Sequence, residues 1–263
     1  MSGFSAGWLA LREPADAAAR SEAVVSFVIG GPARAAPQHG RLLDLGGGTG
    51  SNIRYLSSRL PSPQQWTLVD DDPALLAHAP AGVTTHRADL NAMVDDAGLF
   101  LGAALVTASA LLDLVSAEWL ATLVLRCRAA DAPVLFALNY DGRIECRPQD
   151  QDDEEIRRLV NAHQRRDKGF GPALGPEAAA KAVAMLTAAG YTTKQDRSDW
   201  TLRPDARDLQ RELVNGWAIA ALETAPEKQA IIETWRSRRL AHIDAGRSRI
   251  LVGHVDVAGI RRA

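Results

Sequence analysis

An α/β fold built on a mostly parallel sheet of seven strands is predicted by three features of the sequence. The first is an apolar run, Leu42-Leu43-Asp44-Leu45, that breaks into Gly46-Gly47-Gly48-Thr49-Gly50 and then a helical stretch from Ser51. A short apolar run ending in glycines reads as a buried parallel strand that turns tightly into a helix. The second is the next apolar run, Gln65-Trp66-Thr67-Leu68-Val69, which meets Asp70-Asp71-Asp72-Pro73. The third is recurrence: apolar runs at 104–109 and 132–138 alternate with helical stretches, the sequence form of βαβ units.

The glycine turn carries the first chemistry. Glycine serves where φ is positive or where a ligand approaches the backbone. The free N–H groups at the start of the following helix point back at that ligand. Counted from Gly46, a dinucleotide fingerprint needs Gly at the third position and Gly or Ala at the sixth. Gly48 meets the first requirement, but the sixth residue is Ser51. The glycines stand instead at Gly46, Gly48 and Gly50, with Asp44 two residues earlier. That pattern resembles motif I of the class I S-adenosylmethionine (SAM) methyltransferases. The resemblance implies a cofactor with no phosphate, whose ammonium Asp44 favours directly or through water.

Taken in order, residues 14–28 are helix-like, with Ala17, Val24, Val25 and Val28 as apolar positions. Pro14 suits a first turn, and Gly30-Gly31-Pro32 is a stop. This stretch resembles the N-terminal cap of the family, which implies Arg12 or Arg20 at the methionine carboxylate. After the glycine turn a helix runs to about Leu60 and is broken by Pro61 and Pro63. Asp70, at the end of the second strand, stands where such folds hydrogen-bond a ribose diol. Asp71 takes that place if the strand register differs by one. Asp72 is read as a helix N-cap, with Pro73 at N1. Residues 83–88 form a third, edge-like strand, followed by Asp89-Leu90. The resemblance assigns Asp89 to the adenine amino group and Leu90 to the face of the ring.

The fourth strand, 104–109, ends at Ser109, which the resemblance places beneath the transferred methyl. No Asn/Asp-Pro-Pro-Tyr signature follows it. That argues against methylation of adenine or of glutamine amides. A helix over 117–128 leads to the fifth strand at 132–138, and Tyr140 lies just past its carboxyl end. Ile156, Leu159, Val160 and His163 follow helical spacing, with Asp167 one turn on. Residues i and i+4 share a helix face, so Asp167 orienting the His163 imidazole would make a general base. Tyr140 is the second catalytic candidate. The run from His163 to Pro176 places Arg165, Arg166 and Lys168 beside three glycines and two prolines. Cations on a shaped loop suit a carboxylate or phosphate. A helix over 176–189, a sixth strand within 191–202, two helices over 204–243 and a seventh strand at 249–255 complete the chain. The two helices are an insertion between the last two strands, able to roof the site or to serve a dimer.

Composition bounds the rest. The 263 residues are 46% apolar and 24% charged, ordinary values for a globular protein. A net charge of −2 gives no basic footprint for nucleic acid. Two cysteines, Cys127 and Cys146, make neither a disulfide framework nor a metal site. There is no secretory signal pattern, and the longest uncharged run, 97–112, is shorter than the roughly 20 residues of a membrane span. The expectation is one cytoplasmic domain, monomeric or homodimeric, without metal, membrane or nucleic acid. Its cap is 14–32, its cofactor half 41–140, and its substrate half 141–263 with the insertion at 204–245. The expected activity is methyl transfer from SAM to a small, anionic acceptor, leaving S-adenosylhomocysteine. Two alternatives stay open. One is a SAM-binding sensor or partner subunit; the other is a nicotinamide dehydrogenase, against which Ser51 speaks.

Overall fold

The computed structural model describes residues 5–30, 40–93 and 96–261. In chain order the elements are α1 (Ala6–Ala19), α2 (Glu22–Gly30), β1 (Arg41–Leu45), α3 (Ser51–Ser57), β2 (Gln65–Asp70), α4 (Pro73–Leu76), β3 (Thr84–Arg87), α5 (Leu90–Met93), α6 (Ala97–Phe100) and β4 (Ala103–Ser109). There follow α7 (Ala117–Ala129), β5 (Val134–Arg147), α8 (Asp153–Gln164), α9 (Ala178–Ala188), β6 (Tyr191–Arg197), β7 (Trp200–Leu202), α10 (Arg207–Thr224), α11 (Gln229–Asp244) and β8 (Arg249–Arg261). The sheet order is β3-β2-β1-β4-β5-β8-β6, with β7 paired to β8 off that path. Strands β1 to β5 are parallel, and β8 runs antiparallel between β5 and β6.

Period-two alternation divides the core between the two faces of the sheet. Leu43, Val106 and Phe136 point to one face, where α7 and α9 pack through Leu120, Leu123, Ala182 and Leu186. Leu42, Leu105 and Leu135 point to the other, against Val24, Val25 and Val28 of α2 and Ile53 and Leu56 of α3. Strands covered on both faces need apolar residues at successive positions, as Leu42-Leu43 and Leu105-Val106 supply.

A third core lies beyond the carboxyl edge of β5. That strand does not stop at Leu138 as expected but continues to Arg147, with register shifts after Phe136 and Tyr140. The extension pairs with the start of β8, on which β7 also lies. Helices α8, α10 and α11 pack on this ribbon through Ile156, Leu159, Val214, Trp217, Ile232 and Trp235. Arg143 ties the bulge down by bonding both Asp141 and Asp199. Alternating charged residues at 141, 143, 145 and 147 keep the extension from reading as a strand.

Three further expectations change. The sixth strand is two strands, β6 and β7, so the sheet has eight among the described residues. The N-terminal helix is also two, because Arg20 and Ser21 are captured by the sheet. The Ser21 N–H donates to Asp256 Oδ2 (3.0 Å), and Ser21 Oγ accepts from the Val24 N–H (3.3 Å) to start α2. Pro14 consequently lies inside α1 rather than in a first turn, which Ser5 caps instead. Of the expected stop, Gly30 ends α2, whereas Gly31 and Pro32 lie outside the described residues. Finally, α10 and α11 stand on the carboxyl-edge ribbon but contribute no lining residue to the cavities described below. They support α1, whose Trp8, Leu11 and Ala15 join the third core. Among the described residues no helix is long and apolar enough to cross a membrane.

Candidate functional site

A cavity of about 430 Å³ opens at the carboxyl ends of β1, β2 and β4. Its floor is the glycine turn. Gly46 and Gly48 hold φ of +60° and +54°, where a side chain would be strained. At Gly47 an added Cβ would lie 2.1 Å from Leu68 Cδ1, so the turn also needs glycine for closeness to the sheet. Gly50, at φ +81°, is the N-cap of α3 and lies behind the cavity against Pro80.

The acids at the strand ends converge on this floor. Asp70 is 8% exposed, and its Oδ2 accepts from the Gly48 N–H (2.9 Å) while Oδ1 accepts from the Asp72 N–H (3.0 Å). Burial raises its pKa against the pull of those two N–H groups. Asp71, exposed, lines the same wall. Asp72 caps α4 by accepting from the Ala74 N–H (2.8 Å), as expected, and it also lines the cavity. Asp89 and Leu90 line the side nearest β3, and Ser109 lines the β4 end.

The roof comes from two segments distant in sequence. Leu9, Arg12 and Asp16 of α1 close one side. Arg12 donates to Asp16 from Nε (2.9 Å) and Nη2 (3.1 Å) and stacks over Trp200 at 5.0 Å. Phe170 closes the other side, packed edge-on against Trp119 at 5.8 Å. The loop carrying it is shaped by Asp167, whose Oδ1 accepts from the Gly169 N–H (2.6 Å) and the Gly171 N–H (3.0 Å).

Asp167 therefore does not orient His163. The helix ends at Gln164, so the next turn turns away and the i,i+4 geometry is lost. His163 bonds Glu223 Oε2 through Nε2 (2.9 Å) and the Lys168 ammonium through Nδ1 (3.1 Å), and it does not line the cavity. Tyr140 is buried within the third core, with its hydroxyl donating to Asn161 Oδ1 (2.7 Å). Burial raises its pKa, so it stays protonated and serves as a donor. The loop cations are likewise engaged: Arg165 with the Asn161 carbonyl and Glu177, Arg166 with the Glu223 carbonyl.

Asp44 and Arg20 belong to a buried chain behind the floor. Asp44 is fully buried and accepts from Asn52 Nδ2 (2.7 Å); Asn52 Oδ1 accepts from Arg20 Nη1 (2.7 Å). Arg20 pairs with Asp256 at 3.4 Å and lies 4.5 Å over the Tyr55 ring. It lines a neighbouring cavity of about 270 Å³, which shares Asp16, Ser51, Asn52 and Ser109 with the larger one. Asp44 itself lines neither; it acts on the site through Asn52. Nothing in the sequence singled out Asn52, Leu111, Leu114 or Phe170. Only the flanking Gly169 and Gly171 mark Phe170 as a shaped position.

Burial pushes the Asp44 pKa up to about 7, opposed by the Asn52 amide and Arg20. The folded state thus holds this proton more tightly than the unfolded chain, where a carboxyl titrates near 4. The resulting stabilisation is full below about pH 4 and is lost as pH rises towards 7. Asp44→Asn is expected to flatten that part of the curve. Melting temperatures of the two proteins measured from pH 4 to 7.5 check this; parallel curves would refute it. A second buried carboxyl, Asp113 on the turn after β4, is pushed up to about 6 by burial.

No family model and no curated protein matches the chain. Among solved structures it is similar to a cyclopropane-fatty-acyl-phospholipid synthase-like protein from Lactobacillus casei, at 15% identity, covering 98% of this chain and 95% of that one, with a TM-score of 0.56. It is also similar to a SAM-dependent methyltransferase from Geobacter sulfurreducens in complex with S-adenosylhomocysteine, at 16% identity, covering 99% and 100% of the two chains, with a TM-score of 0.47. Five parallel strands, one reversed strand set between β5 and β6, and a glycine turn after β1 give this chain the fold of the class I SAM-dependent methyltransferases.

Proposed function

We propose that the larger cavity binds SAM and that the chain transfers its methyl group to a small molecule. The observation that carries this reading is the charge of the wall. Five aspartates line it, Asp16, Asp70, Asp71, Asp72 and Asp89, against one arginine, Arg12, which Asp16 already holds. Such a wall repels the pyrophosphate of a dinucleotide and attracts a sulfonium and an ammonium.

The residues suit the cofactor in detail. Asp70 retains acceptor capacity for a ribose diol beyond its two backbone N–H partners. Asp89 stands at the β3 side for the adenine amino group, with Leu90, Leu111 and Phe170 as apolar walls. Ser109 and Asn52 lie at the opposite end and would face the methionine moiety. Bound SAM supplies a methyl group on a positively charged sulfur. The chain contributes alignment and exclusion of water, through α1 and the Phe170 loop, which displacement chemistry needs most.

Titration calorimetry tests the cofactor. S-adenosylhomocysteine is expected to bind and NAD to give no heat. Binding of NAD without S-adenosylhomocysteine would overturn the reading. Transfer of label from methyl-tritiated SAM to a small molecule would establish the activity.

A further inference from the structure

Asn91 stands next to the larger cavity without lining it. It directly follows Asp89 and Leu90, which do line it. The Asn91 backbone N–H donates to Asp89 Oδ1 (2.9 Å). Its side-chain amide reaches the other way along the chain, with Nδ2 donating to the Gly169 carbonyl (2.7 Å), 78 residues on. Gly169 precedes Phe170, which closes the cavity from the loop between α8 and α9. One residue outside the cavity is thus bonded to the Asp89 wall and to the loop that carries Phe170.

The loop is anchored at its ends by Lys168, bonded to His163 Nδ1 (3.1 Å), and by the Leu174 N–H, which donates to the Val115 carbonyl (2.8 Å). Its bonds from the Gly169 and Gly171 N–H groups go to Asp167, a residue of the same loop, so they shape it without attaching it to the cavity. Between the anchors, Asn91 and Trp119 join the segment around Phe170 to the cavity wall. Trp119 packs edge-on against Phe170 at 5.8 Å, and its indole N–H donates to the Leu90 carbonyl (3.0 Å). A ring contact tolerates sliding, whereas a hydrogen bond is directional and weakens steeply when misaligned. Asn91 therefore fixes where the backbone beside Phe170 stands.

We infer that Asn91 is a positioning residue for the cofactor: its amide holds Phe170 over the cavity, so that the closed loop is populated before the cofactor arrives. The inference rests on the methyltransferase reading, in which Phe170 is an apolar wall for the adenosine moiety. A ligand that needs the closed loop binds with an affinity reduced by the fraction of molecules that are closed. Replacing the Asn91 side chain lowers that fraction. It leaves the backbone N–H that Asp89 accepts, so the loss falls on the loop and not on the Asp89 wall.

A double-mutant cycle tests it, with S-adenosylhomocysteine titrated calorimetrically into the wild type, Asn91→Ala, Phe170→Ala and the double variant. Asn91→Ala is expected to raise the Kd about three- to tenfold, the scale of one hydrogen bond. Asn91→Asp keeps the shape but turns a carboxylate oxygen towards the Gly169 carbonyl, and should lose at least as much. Phe170→Ala should also weaken binding. Added to Phe170→Ala, the Asn91→Ala change should cost less than about twofold, because its effect passes through Phe170. A residue that only supports the fold would cost the same factor in both backgrounds. An unchanged Kd in Asn91→Ala or in Phe170→Ala, or an undiminished Asn91→Ala effect in the double variant, would each overturn the inference and leave the cofactor reading standing, since the wild type still binds. Failure of the wild type to bind S-adenosylhomocysteine would overturn both.

Discussion

Arg20→Ala is expected to destabilise the fold by about 3–5 kcal/mol, the scale of breaking a buried ion pair by removing one partner. The Arg20 side chain is 2% exposed, and that of its partner Asp256 is fully buried. Asp256 would keep the N–H groups of Ser21 (3.0 Å) and Leu138 (2.7 Å) but lose its cation. The same change removes the bond to Asn52 and the stacking over Tyr55. Because Ser21 and Arg20 form the joint between α1 and α2, the loss falls on the anchorage of the cavity roof. Denaturant unfolding followed by circular dichroism measures the cost. A methionine-carboxylate ligand would behave differently, with stability nearly intact and cofactor affinity lost. A change below about 0.5 kcal/mol, the usual scale of a surface substitution, would refute the buried-pair role.

Asp70→Ala is expected to weaken S-adenosylhomocysteine binding by about 1.5–3 kcal/mol, the worth of hydrogen bonds to a charged group. Two effects combine. On the proposed reading the ribose loses its acceptor, and the Gly48 N–H loses the carboxylate that holds the glycine turn in shape. Asp70→Asn keeps an oxygen acceptor without the charge and should lose less. Titration calorimetry on the three proteins reads the order directly. An unchanged dissociation constant for Asp70→Ala would remove Asp70 from the site.

The parts of this protein written in its sequence are those in which one residue's neighbours in the chain are its partners in space. The glycine turn is such a case, since strand, turn and helix start are contiguous. So are the N-cap at Asp72 and the placing of Asp70, Asp71, Asp89, Leu90 and Ser109 at strand ends, because all parallel strands deliver their carboxyl ends to one edge. Two-sided burial made β1 and β4 legible as apolar runs.

The rest was settled by contacts across long separations. The extension of β5 is stabilised by its pairing to β8, more than a hundred residues away, so its charged alternation concealed it. The division of the N-terminal helix depends on Asp256, which no local pattern near Ser21 reveals. His163 and Asp167 have helical spacing, yet α8 stops between them, and each takes other partners. Asp113 looks ordinary in a polar-apolar turn; only folding buries it and leaves its Oδ1 without a partner. Local propensity and period thus determined where backbone N–H groups and acids meet the cofactor edge. Which charges are buried, and which remain free to hold a ligand, was determined by packing alone.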